Sequence, residues 1–170
     1  AKRVSRWPER IGDVGVVKDA AIHDIDIARF MFGEEPEAVY ARAGSLKHRY
    51  EDYADILLSF EGDRAAFVEA NWLTPTKVRT LIVTGSEAIA RLDYITQEVW
   101  VEDSEKCVKP NLPWREPLML ELSHFIECVR FGREPCVSGL DGLMALRIAE
   151  AALRSARSGR PVRLRRAELP

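Results

Sequence analysis

Six short runs rich in β-branched and aromatic residues follow one another between residues 37 and 103, and they constrain the fold more than any other feature. They read EAVYARAGSLKH, DYADILLSFEG, RAAFVEANWL, KVRTLIVTGS, AIARLDYI and EVWVED. Alternating apolar residues with turn residues between the runs are typical of β-strands. Connections as short as EGDR and GSEA cannot hold a parallel crossover, so we expect an antiparallel meander.

Helical periodicity flanks these strands on both sides. We expect helices over residues 19–32, 117–132 and 138–159, each ending at a glycine. Ser138 and Asp141 form a capping-box-like start for the last helix.

The remaining segments are expected to be less regular. Residues 1–18 form an irregular lead-in with a short extended piece at Val14, Val16 and Val17, and residues 104–114 form a polar loop. RPVRLRR, residues 160–166, is expected to be a final strand.

This order of elements predicts an α+β fold, a mostly antiparallel sheet of about six or more strands with helices on one face. In runs such as DILLSF and TLIVTG, odd- and even-numbered positions both carry apolar residues, so both faces of the sheet should be apolar. We therefore expect a homodimer or homotetramer formed through the open sheet face.

Composition excludes several functional classes. The net charge of −2 gives no field that would attract nucleic acid or an anionic membrane. No apolar run approaches the ~20 residues of a membrane span. Three cysteines without a CxxC pair predict reduced thiols and a cytoplasmic protein.

The segment KDAAIHDIDI carries the clearest candidate site. In a helix, Asp19, His23 and Asp26 share one stripe because they stand four and three residues apart. An imidazole beside carboxylates can exchange a proton near neutral pH. Spacing alone leaves three interpretations open, namely a helix cap with salt bridges, a proton-transfer site, or a metal site without a second His or Cys.

Other candidates are weaker. Asn71 and Trp72, in NWLTPTK, lie between two strands, where the indole belongs either to the core or to the wall of a ligand cleft. We expect His48 to be exposed and His124 to lie on a helix surface or an interface. The chain has no G-x-G-x-x-G, no Walker A loop and no G-x-S-x-G, so no motif holds nucleotide phosphates.

The segment DVGVVKDAAIHDIDIARFMFGEEPEAVYA resembles the start of the C-terminal domain in the glucose-fructose oxidoreductase, inositol dehydrogenase and rhizopine-catabolism family (Gfo/Idh/MocA). Asp19, His23 and Asp26 fall on the D, H and D of its GGxxxDxxxHxxD pattern, although Val14 replaces the first glycine. The ending PLMLELSHFIECVRFGREPCVSGLDGLMALRIAEAA also resembles this family. Within it, the chain is most similar to archaeal-type UDP-N-acetylglucosamine 3-dehydrogenases.

The resemblance implies a substrate-binding and oligomer-forming C-terminal domain over residues 1–170, with the N-terminal Rossmann domain absent from this chain. It implies an NAD(P)-dependent sugar or nucleotide-sugar dehydrogenase, in which NAD or NADP is bound mainly by the missing domain. His23 would accept the hydroxyl proton, and Asp19 would orient His23 or contact the sugar.

We also expect Asp26, on the last D of the family pattern, and Asn71 and Trp72, from their place between two strands, to contact the substrate. Lys18 would reach the substrate's phosphates or remain solvated. The isolated chain is then expected to be inactive. The alternative is a stand-alone binding or oligomerisation module without dehydrogenase activity.

Overall fold

A computed structural model describes residues 1–164 of the chain. The chain divides into two compact units, one formed by Ala1–Thr80 with the described part of Leu143–Pro170, the other by Leu81–Gly142. The predicted strand over residues 160–166 is observed at Val162–Arg163, and its last two residues lie outside the described part.

Six strands build the sheet of the first unit in the order β5-β1-β4-β3-β2-β9. Their bounds are β1 Lys2–Arg6, β2 Ala38–Gly44, β3 Tyr53–Ser59, β4 Ala65–Asn71, β5 Leu73–Thr84 and β9 Val162–Arg163. β5 continues beyond Thr80 into the second unit. Neighbouring strands are antiparallel except β1 and β4, which pair in parallel.

The strand β1 corrects the expectation of an irregular lead-in. It lies between β4 and β5, so those two strands are not neighbours although only Trp72 separates them in sequence. The extended piece expected at Val14, Val16 and Val17 is wrong, because a helical segment has already begun at Val16. Lys2–Arg6 becomes a strand because two longer strands offer it their unpaired backbone groups, a long-range effect that local sequence does not reveal.

The first helix begins with a π-helical turn, Val17–Ala21, and continues as α1, Ile22–Phe32. It ends at Gly33, whose φ of 68° lies in the left-handed region. The predicted helix over residues 19–32 is therefore confirmed, with a helical start three residues earlier, at Val16.

The core of the first unit lies between one sheet face and two helices, α1 and α3, Gly139–Ser158. In β3, Ala54, Ile56 and Leu58 are buried, whereas the alternate residues are exposed. The residues of β2 and β4 that pair with these buried positions are buried or half-buried as well. Both helices therefore cover the same sheet face, as predicted.

The second unit contains the end of β5 and three strands, β6 Ile89–Asp93, β7 Glu98–Glu102 and β8 Cys107–Val108, in the order β5-β6-β7-β8. The two-residue strand β8 lies within the expected polar loop. The unit also holds α2, Pro117–Phe131, which ends at Gly132 as predicted.

Ser138 and Asp141 cap α3 reciprocally, since the Ser138 amide and hydroxyl both donate to the Asp141 carboxylate at 2.8 Å. The predicted capping box is therefore confirmed. Within residues 1–164, no helix is long and apolar enough to cross a membrane.

Candidate active site

A carboxylate fixes the start of the first helix. The Val16 amide donates to the Glu51 carbonyl at 2.8 Å, and the Val17 amide donates to the Glu51 side chain at 3.3 Å. Gly15 permits this approach, because a Cβ at that position would overlap the Glu51 carboxylate. A carboxylate at a helix N-terminus is favourable for the exposed amides and for the helix dipole.

A buried ion pair joins this helix to the sheet. Nε and Nη2 of Arg3, on β1, each donate to one carboxylate oxygen of Asp24, on α1, at 2.9 Å. The Asp24 side chain is 1% exposed and the Arg3 side chain 11%. Because this two-point contact allows little rotation of α1 about its axis, it also fixes the direction of the neighbouring His23.

His23 lies on the open side of α1 and is exposed to solvent. Its pKa is nevertheless lowered from the ordinary histidine value, first because protein atoms partly desolvate the ring, then because of the positive charge of Arg3. Asp24 and Asp19 raise this pKa and Arg79 lowers it further. The net lowering keeps the imidazole neutral at pH 7, the state that accepts a proton.

Arg79 comes from β5, whose residue pairing with β1 places it directly beside Arg3. Directly paired residues project to the same sheet face, here the face that carries α1. Lys77 stands two residues earlier on β5, and its pKa is lowered chiefly by the charge of Arg79. The neighbourhood of His23 therefore contains acids from the helix and cations from two strands.

The predicted stripe on α1 is only partly assembled. Asp19 is close enough to His23 to influence its pKa. Asp26 instead accepts a hydrogen bond of 2.7 Å from Arg29, which also binds Glu35 at 2.5 Å. The structure brings Asp19 and His23 together and directs Asp26 to a separate ion cluster.

Lys18 lies in the π-helical turn and forms a 2.5 Å ion pair with Glu150 of α3. Its predicted contact with substrate phosphates stays a prediction.

Trp72 and Asn71 lie where β4 meets β5. Trp72 is 4% exposed and packs edge-on against Trp7, with ring centroids 4.6 Å apart. Its indole therefore belongs to the core, one of the two alternatives. The Asn71 side chain accepts from the Leu73 amide at 3.1 Å and projects from the sheet face opposite Ala70, away from His23.

The two other histidines form structural contacts. His48 stacks on Trp7 with ring centroids 3.5 Å apart, so it is half-buried rather than exposed. The His124 ring accepts from the Cys136 amide at 3.0 Å. Across residues 1–164, no three histidine, cysteine or acidic side chains gather in a way that could hold a metal ion.

Sequence reasoning missed three residues around His23, namely Arg3, Asp24 and Arg79. Asp24 adjoins His23 in an otherwise apolar helix, and a buried acid needs a partner, which is the signal that was available. Its partner stands 21 residues away, in a segment that was not expected to form a strand. Arg79 becomes visible only once β1 is known to pair with β5.

An α+β domain whose first helix presents a neutral histidine beside an aspartate is suited to accept a proton from a bound substrate. Residues 2–164 match the family described as "Oxidoreductase family, C-terminal alpha/beta domain". The chain therefore belongs to the Gfo/Idh/MocA oxidoreductase family, whose C-terminal domain it represents.

The relatives of this chain include proteins named as polyol and sugar dehydrogenases. The scyllo-inositol 2-dehydrogenase (NAD(+)) of Bacillus subtilis is 33% identical over 165 residues, covering 88% of this chain and 48% of the relative. The D-apiose dehydrogenase of Paraburkholderia graminis is 34% identical over 173 residues, covering 90% and 46%. The chain thus spans about half the length of the curated relatives it matches.

Solved structures share the fold. An aldose-aldose oxidoreductase from Caulobacter crescentus superposes with a TM-score of 0.81 at 27% identity, covering 96% of this chain and 54% of that one. The UDP-N-acetylglucosamine 3-dehydrogenase GnnA from Acidithiobacillus ferrooxidans reaches 0.87 at 20% identity, covering 93% and 52%. At that identity, the second likeness shows the fold alone.

Proposed function

We propose that this chain is the substrate-binding and catalytic half of an NAD(P)-dependent dehydrogenase that oxidises a hydroxyl of a sugar, polyol or nucleotide-sugar. The observation that carries the proposal is the solvent-facing His23 on α1, next to Asp24, whose buried pair with Arg3 fixes the helix. Membership in a family whose named relatives include inositol and apiose dehydrogenases supports the reaction class.

In this proposal His23 accepts the proton of the substrate hydroxyl. Oxidation of a secondary alcohol to a ketone removes one proton from oxygen and one hydride from carbon. A ring nitrogen of His23 takes the proton, and Asp19 and Asp24 stabilise the resulting imidazolium because their charges favour that form. Arg3 and Arg79 oppose it, so the histidine returns readily to its neutral state.

A nicotinamide cofactor supplies the hydride acceptor in such a dehydrogenase. The sequence contains no G-x-G-x-x-G, the loop that holds the pyrophosphate of a dinucleotide in a Rossmann domain. We therefore assign no cofactor-binding residue here and propose that NAD or NADP is bound mainly by a separate Rossmann domain. The chain's own contribution is to bind and orient the substrate and to accept its proton.

Four further residues were predicted to contact the substrate, and they differ in how well their surroundings support that role. Lys18 and Asp26 are half-exposed and each already has an ion-pair partner. Trp72 is buried and Asn71 projects from the opposite sheet face. We rank Asp26 and Lys18 ahead of Trp72 and Asn71 as direct contacts.

Assembly through the open sheet face also stays a prediction. Leu57 and Phe67 face each other across β3 and β4 on that side and are 41% and 55% exposed. A homodimer or homotetramer would cover them.

The test replaces His23 in the enzyme that joins this chain to its dinucleotide-binding domain. We expect His23→Gln to lower kcat for a polyol substrate by about 10²- to 10⁴-fold, because a positioned general base contributes on that order. The rate is read from the absorbance of the reduced nicotinamide. His124→Gln, in the second unit, is the matched control and keeps its kcat.

A folded His23→Gln enzyme with near-wild-type kcat would contradict the proposal. The chain alone, given NAD(P) and the same substrate, is expected to reduce no nicotinamide.

A further inference from the structure

Three cations project from the sheet near the start of α1, and we call them the cationic cluster: Arg3, Lys77 and Arg79. Arg3 and Arg79 are close enough to His23 to lower its pKa. Arg3 and Arg79 are directly paired residues on β1 and β5. Lys77 precedes Arg79 by two residues on β5, so all three project to one sheet face. Their closeness is evident in their mutual effects, since each of Arg3 and Arg79 lowers the pKa of Lys77.

The nearby acids do not balance these charges. Asp24 is bound through both of its oxygens to Arg3. Asp19 is the other acid close enough to act on Arg79. Arg10 adds a further positive charge near Arg79.

Lys77 and Arg79 differ from most cations of the described chain. Within residues 1–164 neither side chain forms an ion pair or a hydrogen bond, whereas the side chains of Lys2, Lys18 and Arg64 each bind a carboxylate. Lys77 is exposed, and Arg79 is half-buried. Partial burial next to Arg3 lowers the pKa of Arg79, which means that its charged form is disfavoured where it stands. A bound anion would remove this penalty.

We propose that the substrate carries an anionic group, a carboxylate or a phosphate, which Arg79 and Lys77 bind beside the hydroxyl that yields its proton to His23. This inference rests on the proposed dehydrogenase function and narrows its substrate class to acidic sugars or sugar phosphates. The Arg79 guanidinium offers two parallel donors that match either group, and Lys77 adds a point charge.

The place of Arg79 is fixed by its direct pairing with Arg3, which is bound to Asp24 of α1. Lys77 stands on the same strand, where the pairing with β1 becomes irregular between Val78 and Leu73. An anion held there would orient the sugar ring with respect to His23. The cluster would therefore select substrates by charge and also determine which hydroxyl reaches the imidazole.

The test compares three probes that share one ring: D-glucose, D-glucuronate and D-glucose 6-phosphate. In the joined enzyme we expect a lower KM for an anionic probe than for D-glucose. Arg79→Gln and Lys77→Gln should each raise the KM for that probe by about ten- to a hundredfold, as expected for loss of a charge-assisted hydrogen bond. The KM for D-glucose should change little.

Arg91→Gln is the matched control, because Arg91 lies on β6 and is paired with Glu102. It should leave all three KM values unchanged. Isothermal titration calorimetry of the same probes measures binding without turnover. An enzyme that binds the anionic probes more tightly but reduces no nicotinamide would contradict the dehydrogenase proposal and leave only the anion-binding role of Arg79 and Lys77.

Three results would overturn the inference. The first is equal affinity for the neutral and anionic probes, even if the enzyme is an active dehydrogenase. The second is an Arg79→Gln variant whose KM rises for NAD(P) and not for the sugar, which would assign the cluster to the cofactor. The third is an equal rise for all three probes. Preference for D-glucuronate over D-glucose 6-phosphate, or the reverse, identifies the anion.

Discussion

The helix α1 takes part in two charged clusters that are built in opposite ways. In one, Arg29 is shared by two acids, Asp26 at 2.7 Å and Glu35 at 2.5 Å. In the other, Arg3, Lys77 and Arg79 project from the sheet beside α1, and within residues 1–164 Asp24 and Asp19 are the acids that act on both His23 and Arg79. The first cluster has a surplus of acid and the second a surplus of cation.

The pKa values follow this difference. The hydrogen bonds that Arg29 donates to Glu35, and then the charge of Glu35, raise the pKa of Arg29, although burial opposes the rise. Partial burial and the charge of Arg3 lower the pKa of Arg79. The Arg29 guanidinium is already bound by two carboxylates, whereas the Arg79 side chain has no carboxylate partner within residues 1–164 and could accept an anion. The same helix thus carries a structural cluster towards its C-terminal end and a candidate binding site at its start.

Among substitutions in the two clusters, we expect the largest loss of unfolding free energy at Asp24. Asp24→Asn leaves the nearly buried Arg3 without its counter-charge and beside Arg79, and we expect a loss of about 3–5 kcal/mol in the free energy of unfolding. Urea unfolding of the chain, followed by circular dichroism, measures this loss.

The matched control is Glu102→Gln, which breaks the exposed Arg91–Glu102 pair and should cost less than about 1 kcal/mol. Equal losses in the two variants would mean that the buried pair does not anchor α1.

A smaller effect is expected in the structural cluster. Asp26→Asn leaves Arg29 with its contact to Glu35, and Asp26 itself is one-third exposed, so the loss should stay below about 1 kcal/mol. The same unfolding experiment checks it. A loss of unfolding free energy comparable to that of Asp24→Asn would contradict the view that Glu35 alone can hold Arg29. The KM of this variant for its substrate tests the predicted contact of Asp26 with the sugar.

Much of the fold could be predicted from the sequence. The six alternating runs, the glycine ends of the helices and the capping box of Ser138 and Asp141 are local signals, and the structure confirms them. β1 and β8 were missed for different reasons. β8 has two residues, too few for a period. β1 forms because it pairs with both β4 and β5, and these partners come together only in the assembled sheet.

In the candidate site, too, the contacts within one helix could be predicted and the long-range contacts could not. Asp19 and His23 are four residues apart on one helix, so their closeness could be predicted from helical geometry. Arg79 lies near them because it pairs with Arg3 across β1 and β5. No local sequence pattern predicts a pairing between residues so far apart in the chain. Asp26 also has the right spacing, but Arg29, three residues on, offers it a closer partner. Helical spacing identifies candidates, and competition between charges decides which of them meet.

The most direct test of His23 as the proton acceptor is the pH profile of kcat/KM in the joined enzyme, measured with a neutral polyol. Activity requires neutral His23, so kcat/KM should fall as pH drops through the lowered pKa of the free enzyme, below the ordinary histidine value of 6.5. The charged groups that act on this ring are Arg3, Asp24, Asp19 and Arg79.

Arg79→Gln removes a charge that lowers the pKa of His23, so the acidic limb of the profile should move to higher pH. Asp19→Asn removes a charge that raises the pKa, so the limb should move to lower pH. Opposite movements in the two variants are the predicted result. A limb that stays in place in both variants, or moves in the same direction in both, would contradict the assignment of His23 as the group that takes the proton.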